Sequence, residues 1–268
     1  MTRYAEVIGD PISHSKSPII HGFWLKKLGI DAEYRRTHVL PEELSEFLTQ
    51  RHGDADWLGC NVTLPHKLAI MDLVDDPGAV RDSIGAMNTL LPRDSTVMGT
   101  NTDAGGFMMP IMDLPLAGET AIVVGTGGAA HAVLFALKQV GVGSVTILAR
   151  NGLKGAALLA RFGLKGQVKP LDMPLPPALL LVNASSLGMT GQPPLDLDVS
   201  SLPGDALVYD IVYAPLETQL LKAAREQGLE TVDGLDMLIG QAALAFEMFF
   251  GVSVPEGHDD ELRALLTT

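Results

Sequence analysis

The stretch Thr120–Val133, TAIVVGTGGAAHAV, reads as a β-strand, a glycine turn and the opening of a helix, in that order. Its first five residues are apolar or β-branched, as a buried strand requires. Gly125-x-Gly127-x-x-Ala130 follows at once. Two glycines allow a tight turn and a close approach of the backbone to a pyrophosphate, and the small third residue lets the helix pack on the strand. A glycine motif alone also describes an ordinary strand-to-helix turn. The order of strand, turn and helix here favours a dinucleotide site.

The next strand, SVTILA, ends where a dinucleotide fold presents the residue that reads the adenosine ribose. An NAD site offers Asp or Glu at that point. This chain offers Ala149, Arg150 and Asn151, with Lys154 one turn on. The fixed fork of arginine suits a 2′-phosphate and predicts NADP. The alternative is that Arg150 and Lys154 are solvated surface charges.

Outward from this motif, short apolar runs alternate with helix-length segments. Toward the N-terminus come YAEVIG and Pro18 to Leu28, AEYRRTHV and Pro41 to Arg51, then WLGCNVT and a helix opening near Pro65. Toward the C-terminus the series runs through LLLVNAS and ALVYDIVY to a helix from about Leu216 to Gln227. Such alternation predicts βαβ units on mostly parallel sheets. The fold class is α/β with two domains: an N-terminal, mostly parallel α/β substrate domain and a Rossmann-type, doubly wound NADP domain. The Gly- and Asn-rich VMGTNTDAGGF sets the boundary at about Asp103. After Gly234 an apolar helix, MLIGQAALAFEMFFG, is expected to leave the second set and pack on the first. The predicted domains are 1–103, completed by 236–268, and 104–235.

Composition narrows the partners. The chain has 268 residues, 47% of them hydrophobic, and a formal net charge of −13. That charge leaves no broad basic surface, so neither nucleic acid nor anionic membrane is expected as a partner. Two long uncharged stretches are broken by glycines or prolines and do not read as membrane spans. A single cysteine, Cys60, permits no internal disulfide, and no apolar run long enough for a signal peptide follows the first arginine. A cytoplasmic protein is the expectation, monomeric or homodimeric.

Hydride transfer requires a group that handles the proton on the substrate oxygen. Polar residues beside Gly or Pro cluster in GCNVTLPHK, IGAMNTL and GTNTDAGGF, although each alone is also ordinary turn chemistry. With Pro65 as a first helical position, Lys67 falls in a first turn, where the positive helix end disfavours its charge by about 0.3 to 1 kcal/mol. Asp103 is a candidate to orient its amine. In GDPISHSKSP, Ser13, Ser15 and Ser17 project to one side of an extended chain, and Pro18 then starts a helix with Ser17 as its cap. Hydroxyls at a positive helix end suit a carboxylate.

These blocks resemble the shikimate dehydrogenases. GDPISHSKSP, GCNVTLPHK, IGAMNT, GTNTDAGGF, GTGGAAHA, NASSLGM, YDIVYAPLET and DGLDMLIGQAALAFE occur in the family's order, almost end to end. The resemblance implies a two-domain enzyme that reduces 3-dehydroshikimate to shikimate with NADPH, in the route to aromatic amino acids. It implies Lys67 and Asp103 as the catalytic pair, with Ser15 and Ser17 on the substrate carboxylate. Thr63, Asn88, Asp103 and Gln241 would hold the hydroxyls, and Tyr213 would approach from the cofactor domain. Gly125, Thr126, Gly127, Gly128 and Ala129 would hold the pyrophosphate, and Arg150 and Lys154 the 2′-phosphate. Ile211, Gly234 and Met237 would lie near the nicotinamide.

Some positions depart from that pattern. Ala149 stands where NADP-selective members usually carry asparagine, Gly22 where an asparagine often follows the histidine, and Ser185-Ser186 where an Ala-Thr-Pro-like run is commoner. The first departure keeps open a quinate/shikimate dehydrogenase with relaxed or NAD cofactor use. A third reading is a non-catalytic dinucleotide-binding sensor. No histidine pair has metal-ligand spacing, so no metal is expected. Met108, Met109 and Met112 follow helix spacing and read as packing, Cys60 as a buried filler, and EGHDDELRALL as a solvated surface helix.

Overall fold

The computed structural model describes residues 2–267. The chain divides into two compact units: one runs to Gly105 and resumes at Ile239, and the other spans Gly106–Leu238. In the first unit the order is β1 (Arg3–Gly9), α1 (Ser17–Leu28), β2 (Ala32–His38), α2 (Leu44–His52), β3 (Trp57–Val62), α3 (Val80–Ser83), β4 (Thr89–Arg93) and β5 (Thr96–Thr100). A short helix, α4 (Asp103–Met108), leads into the second unit. There follow β6 (Thr120–Val124), α5 (Gly128–Gln139), β7 (Ser144–Leu148), α6 (Gly152–Phe162), β8 (Gly166–Lys169), β9 (Leu180–Asn183), β10 (Leu207–Asp210), α7 (Gln219–Glu226) and β11 (Glu230–Val232). α8 (Gly234–Phe250) begins in the second unit and ends in the first, which α9 (Asp259–Thr267) completes.

The first sheet has the order β2-β1-β3-β4-β5. Its first three strands are parallel, and an antiparallel hairpin, β4-β5, continues it. The second sheet is parallel throughout, in the order β11-β10-β9-β6-β7-β8. That is the doubly wound order of a dinucleotide fold, with the reversal between β6 and β9. Alternate residues of β6 serve opposite faces, because strand side chains alternate. Ala121 and Val123 join a core with Val133, Leu137 and Phe162 from α5 and α6, while Ile122 and Val124 join another with Leu220 and Leu221 from α7.

Several sequence expectations are corrected. No α-helix opens at Pro65: His66 N–H donates to Thr63 O at 2.9 Å, closing a turn, and a 3-10 segment begins only at Ala69. A proline after a strand serves a tight turn as readily as a helix start, and here the turn wins. The first-turn argument for Lys67 therefore lapses. The terminal helix α9 is not simply a solvated one, because Leu262 and Leu266 are buried and Lys27 of α1 meets Glu261 at 2.6 Å. Met109 and Met112 are largely exposed, since Pro110 ends α4 and breaks the helical spacing on which their packing role rested. Cys60 is a fully buried free thiol, and burial pushes its pKa up. No helix among the described residues is long and apolar enough to cross a membrane.

Candidate active site

Topology brings the polar loops of the first unit to one edge. β1 and β3 are parallel neighbours with Ile8 opposite Val62, so the loops that follow them leave the same end of the sheet. Asp10 N–H donates to Leu64 O at 3.0 Å, and Thr63 N–H to Ile8 O at 2.9 Å. The approach is close enough to require Gly9, whose hypothetical Cβ would lie 2.6 Å from Thr63 Cγ2 and 2.9 Å from Leu64 O. The serine loop and the TLPHK loop are thus held side by side.

The serines do not form an extended row. Ser13 and His14 occupy a turn closed by Ser15 N–H on Ile12 O at 3.1 Å. Ser17 is the first residue of α1 and is buried, and its backbone N–H donates to Ser15 Oγ at 3.3 Å. Ser15, not Ser17, therefore serves the helix start. With Ile19 and Ile20 N–H both bonded to Lys16 O, the backbone donors of this end are taken. The Arg36 side chain holds the loop by donating to Ser15 O at 2.8 Å.

Beyond the turn, Lys67 reaches Asp103, the first residue of α4. Its ammonium donates to Asp103 Oδ2 at 2.5 Å. Asp103 Oδ1 accepts from Asn88 Nδ2 at 2.9 Å, so both carboxylate oxygens are engaged. Asn88 also donates to Thr102 Oγ1 at 2.9 Å and lies 3.4 Å from Gln241 Oε1 on α8. Its side-chain oxygen, Oδ1, accepts Thr102 N–H at 2.7 Å. Met87 N–H donates to Lys67 O at 2.9 Å, which pins the lysine backbone to the segment carrying Asn88. Thr63 is partly exposed, and its hydroxyl makes no protein hydrogen bond among the described residues. Thr102 was not singled out from sequence, although it stands directly before Asp103; its burial at the centre of this network is what marks it.

In the second unit, Gly125 follows β6 with φ at +106°, and a Cβ there would lie 3.0 Å from Ala184 O. Gly127 faces open space and precedes α5, whose start has no side-chain cap. An uncapped helix start with room above it fits a pyrophosphate. Arg150 and Lys154 are exposed at the end of β7 and in the first turn of α6, which Asn151 caps by accepting Lys154 N–H at 3.1 Å. Gly234 is packed so tightly on Ile211 and Val212 that a Cβ would overlap the Ile211 carbonyl. Met237 is buried in the same core against which Ile211 packs. Tyr213 is partly exposed in the loop after β10.

That loop is tied down by a hub the sequence reading missed. Asp210 is fully buried, and it accepts from Asn183 Nδ2 at 2.8 Å, Val212 N–H at 3.0 Å and the Thr218 hydroxyl at 2.7 Å. Burial holds its carboxyl above the usual range, opposed by those three donors. Asn183 in turn accepts from Ser185 N–H at 3.1 Å and from its hydroxyl at 2.7 Å, which accounts for the first of the two serines.

Comparison with known proteins agrees with both units. The family model for the shikimate dehydrogenase substrate binding domain matches residues 7–90, and that for the shikimate 5′-dehydrogenase C-terminal domain matches residues 234–258. A shikimate dehydrogenase (NADP(+)) of Sphingopyxis alaskensis is 64% identical over 98% of this chain and 96% of its own length. The crystal structure of shikimate 5-dehydrogenase from Thermus thermophilus, in complex with NADP(H) and shikimate, has a TM-score of 0.86 at 35% identity, covering 99% of this chain and 100% of that one. Quinate dehydrogenase from Corynebacterium glutamicum, in complex with NAD, has a TM-score of 0.81 at 30% identity, covering 98% of this chain and 99% of that one. With a relative of such identity along nearly its whole length, and with the Lys67–Asp103 pair and the Gly125 turn on the matching scaffold, the chain belongs to the shikimate dehydrogenase family.

Proposed function

We infer that this protein is an NADP-dependent shikimate dehydrogenase, which interconverts 3-dehydroshikimate and shikimate. The observation that carries the reading is the Lys67–Asp103 contact at 2.5 Å, in which both side chains are largely buried. When bound, NADPH supplies the hydride. In the reducing direction the chain itself must deliver a proton to the developing alkoxide. Lys67 is the donor and Asp103 fixes its ammonium, while Asn88 fixes Asp103 from the other side. Ser15 and Ser17 take the substrate carboxylate; Thr63, Asn88 and Gln241 hold its hydroxyls, and Tyr213 is assigned to the substrate as well. The domain that ends near Asp103 and is completed by the C-terminal helices is the substrate domain, and the intervening one holds the cofactor. Gly125 to Ala129 would hold the pyrophosphate, Arg150 and Lys154 the 2′-phosphate, and Ile211, Gly234 and Met237 would border the nicotinamide.

Ala149 supports a second reading with relaxed cofactor use, since the usual asparagine contact is missing. Initial rates of shikimate and quinate oxidation, each with NADP and with NAD and followed by cofactor absorbance, separate the two. A strong preference for shikimate with NADP is expected. Comparable rates with quinate or NAD would support the broader activity, and no turnover in any of the four would contradict both.

A further inference from the structure

We propose that Lys169 is a cofactor-specificity residue, whose ammonium supplies the contact to the adenosine 2′-phosphate that Ala149 lacks; this rests on the NADP reading above. β8 runs parallel to β7 with Lys169 opposite Leu148, and Ala149 N–H donates to Lys169 O at 3.0 Å. The last residue of β8 is thereby fixed beside the position where the family's asparagine is absent. A cavity of about 430 Å³ opens there, lined by Ala149, Arg150, Gly152, Lys169 and Asp172 among others.

The charge pattern around it is unusual for this chain. Acidic residues outnumber basic ones by 32 to 19. Yet Arg150, Lys154 and Lys169 form no side-chain hydrogen bond or ion pair among the described residues. A phosphate monoester carries nearly two charges and three acceptor oxygens, more than the fork of Arg150 alone can satisfy. Lys169 adds a compact charge from the neighbouring strand, which no alanine side chain could replace. Asp172 lines the same cavity and opposes it, because a carboxylate repels the phosphate and accepts from a ribose hydroxyl. The balance between Lys169 and Asp172 sets how strongly NADP is preferred over NAD.

The test measures dissociation constants of NADP+, NAD+ and adenosine 2′-monophosphate for the intact protein by calorimetry. Lys169→Ala should weaken NADP+ and adenosine 2′-monophosphate about tenfold, the scale of one charge-assisted contact, and leave NAD+ unchanged. Lys169→Arg should retain most of the wild-type preference, and Asp172→Asn should strengthen NADP+ relative to NAD+. Equal losses for NADP+ and NAD+ in Lys169→Ala, or no loss in either, would overturn the role while leaving the NADP reading intact. Wild-type protein that binds NAD+ but not NADP+ would overturn both.

Discussion

The Lys67 ammonium sits 2.5 Å from Asp103 Oδ2, with the two side chains only 14% and 5% exposed. An ion pair so placed is weakly screened by solvent ions, and Asn88 holds the carboxylate from its other oxygen at 2.9 Å. Asp103→Asn keeps the shape and removes the charge that orients the amine. Turnover of shikimate should fall on the order of a hundredfold, the scale of a misplaced reacting group, while the fold is kept. Unchanged kcat in steady-state kinetics would remove Asp103 from the site.

Asn88 is buried and serves Thr102 and Asp103 with both ends of its amide. Asn88→Ala leaves the Thr102 N–H and one Asp103 oxygen without their partners in the interior. Stability should drop by about 2 kcal/mol and kcat should fall as well. Chemical denaturation measures the first effect; a variant as stable as wild type would show that water replaces the amide at no cost.

His21 is fully buried, neither ring nitrogen finds a hydrogen-bond partner among the described residues, and the ring stacks on Tyr34 with centroids 3.8 Å apart. Burial lowers its pKa from 6.5 to about 3. Above pH 6.5 both folded and unfolded chains carry it neutral. As pH falls below that value the unfolded chain takes up a proton that the native state refuses, and stability is lost until about pH 3. Between about pH 7 and about pH 5 the loss from this residue should be about 2 kcal/mol. His21→Phe should remove that part of the acid sensitivity; equal pH dependence of the urea midpoints in both proteins would contradict the assignment.

Glu6 is fully buried on β1 and accepts from Arg51 Nε at 2.6 Å and Nη2 at 3.2 Å, and from the Thr37 hydroxyl. Arg51→Met strands that carboxylate and should cost about 3 kcal/mol. The double variant Arg51→Met with Glu6→Gln should recover much of the loss. Equal stability of the two variants would mean that Glu6 does not need its cation.

The second unit is the more legible half, because Gly125-x-Gly127-x-x-Ala130 marks a strand-to-helix turn, and the backbone demands glycine at Gly125, where φ is +106°. Strand-length apolar runs mark β7, β9 and β10 as well, whereas the short, more polar edge strands β8 and β11 carry no such run. The β4-β5 hairpin was absorbed into loops, since its turn is Asp94-Ser95 and lacks the Asn-Gly signal, even though Asp94 takes φ at +45°. Pro65 misled because proline marks helix starts and tight turns alike. Lys67, Asp103, Asn88 and Gln241 could be named from sequence, but their linkage could not, since it depends on α8 returning to a sheet built far earlier in the chain. Lys169 was invisible for a similar reason: only the register of β8 on β7 puts it beside Ala149.

The most direct test is Lys67→Ala, with shikimate binding and turnover measured on the same preparation. The kcat should fall by about a hundredfold to ten-thousandfold, the contribution of a positioned proton-transfer group, with shikimate still bound. Near-normal turnover would contradict the assignment of proton transfer to Lys67.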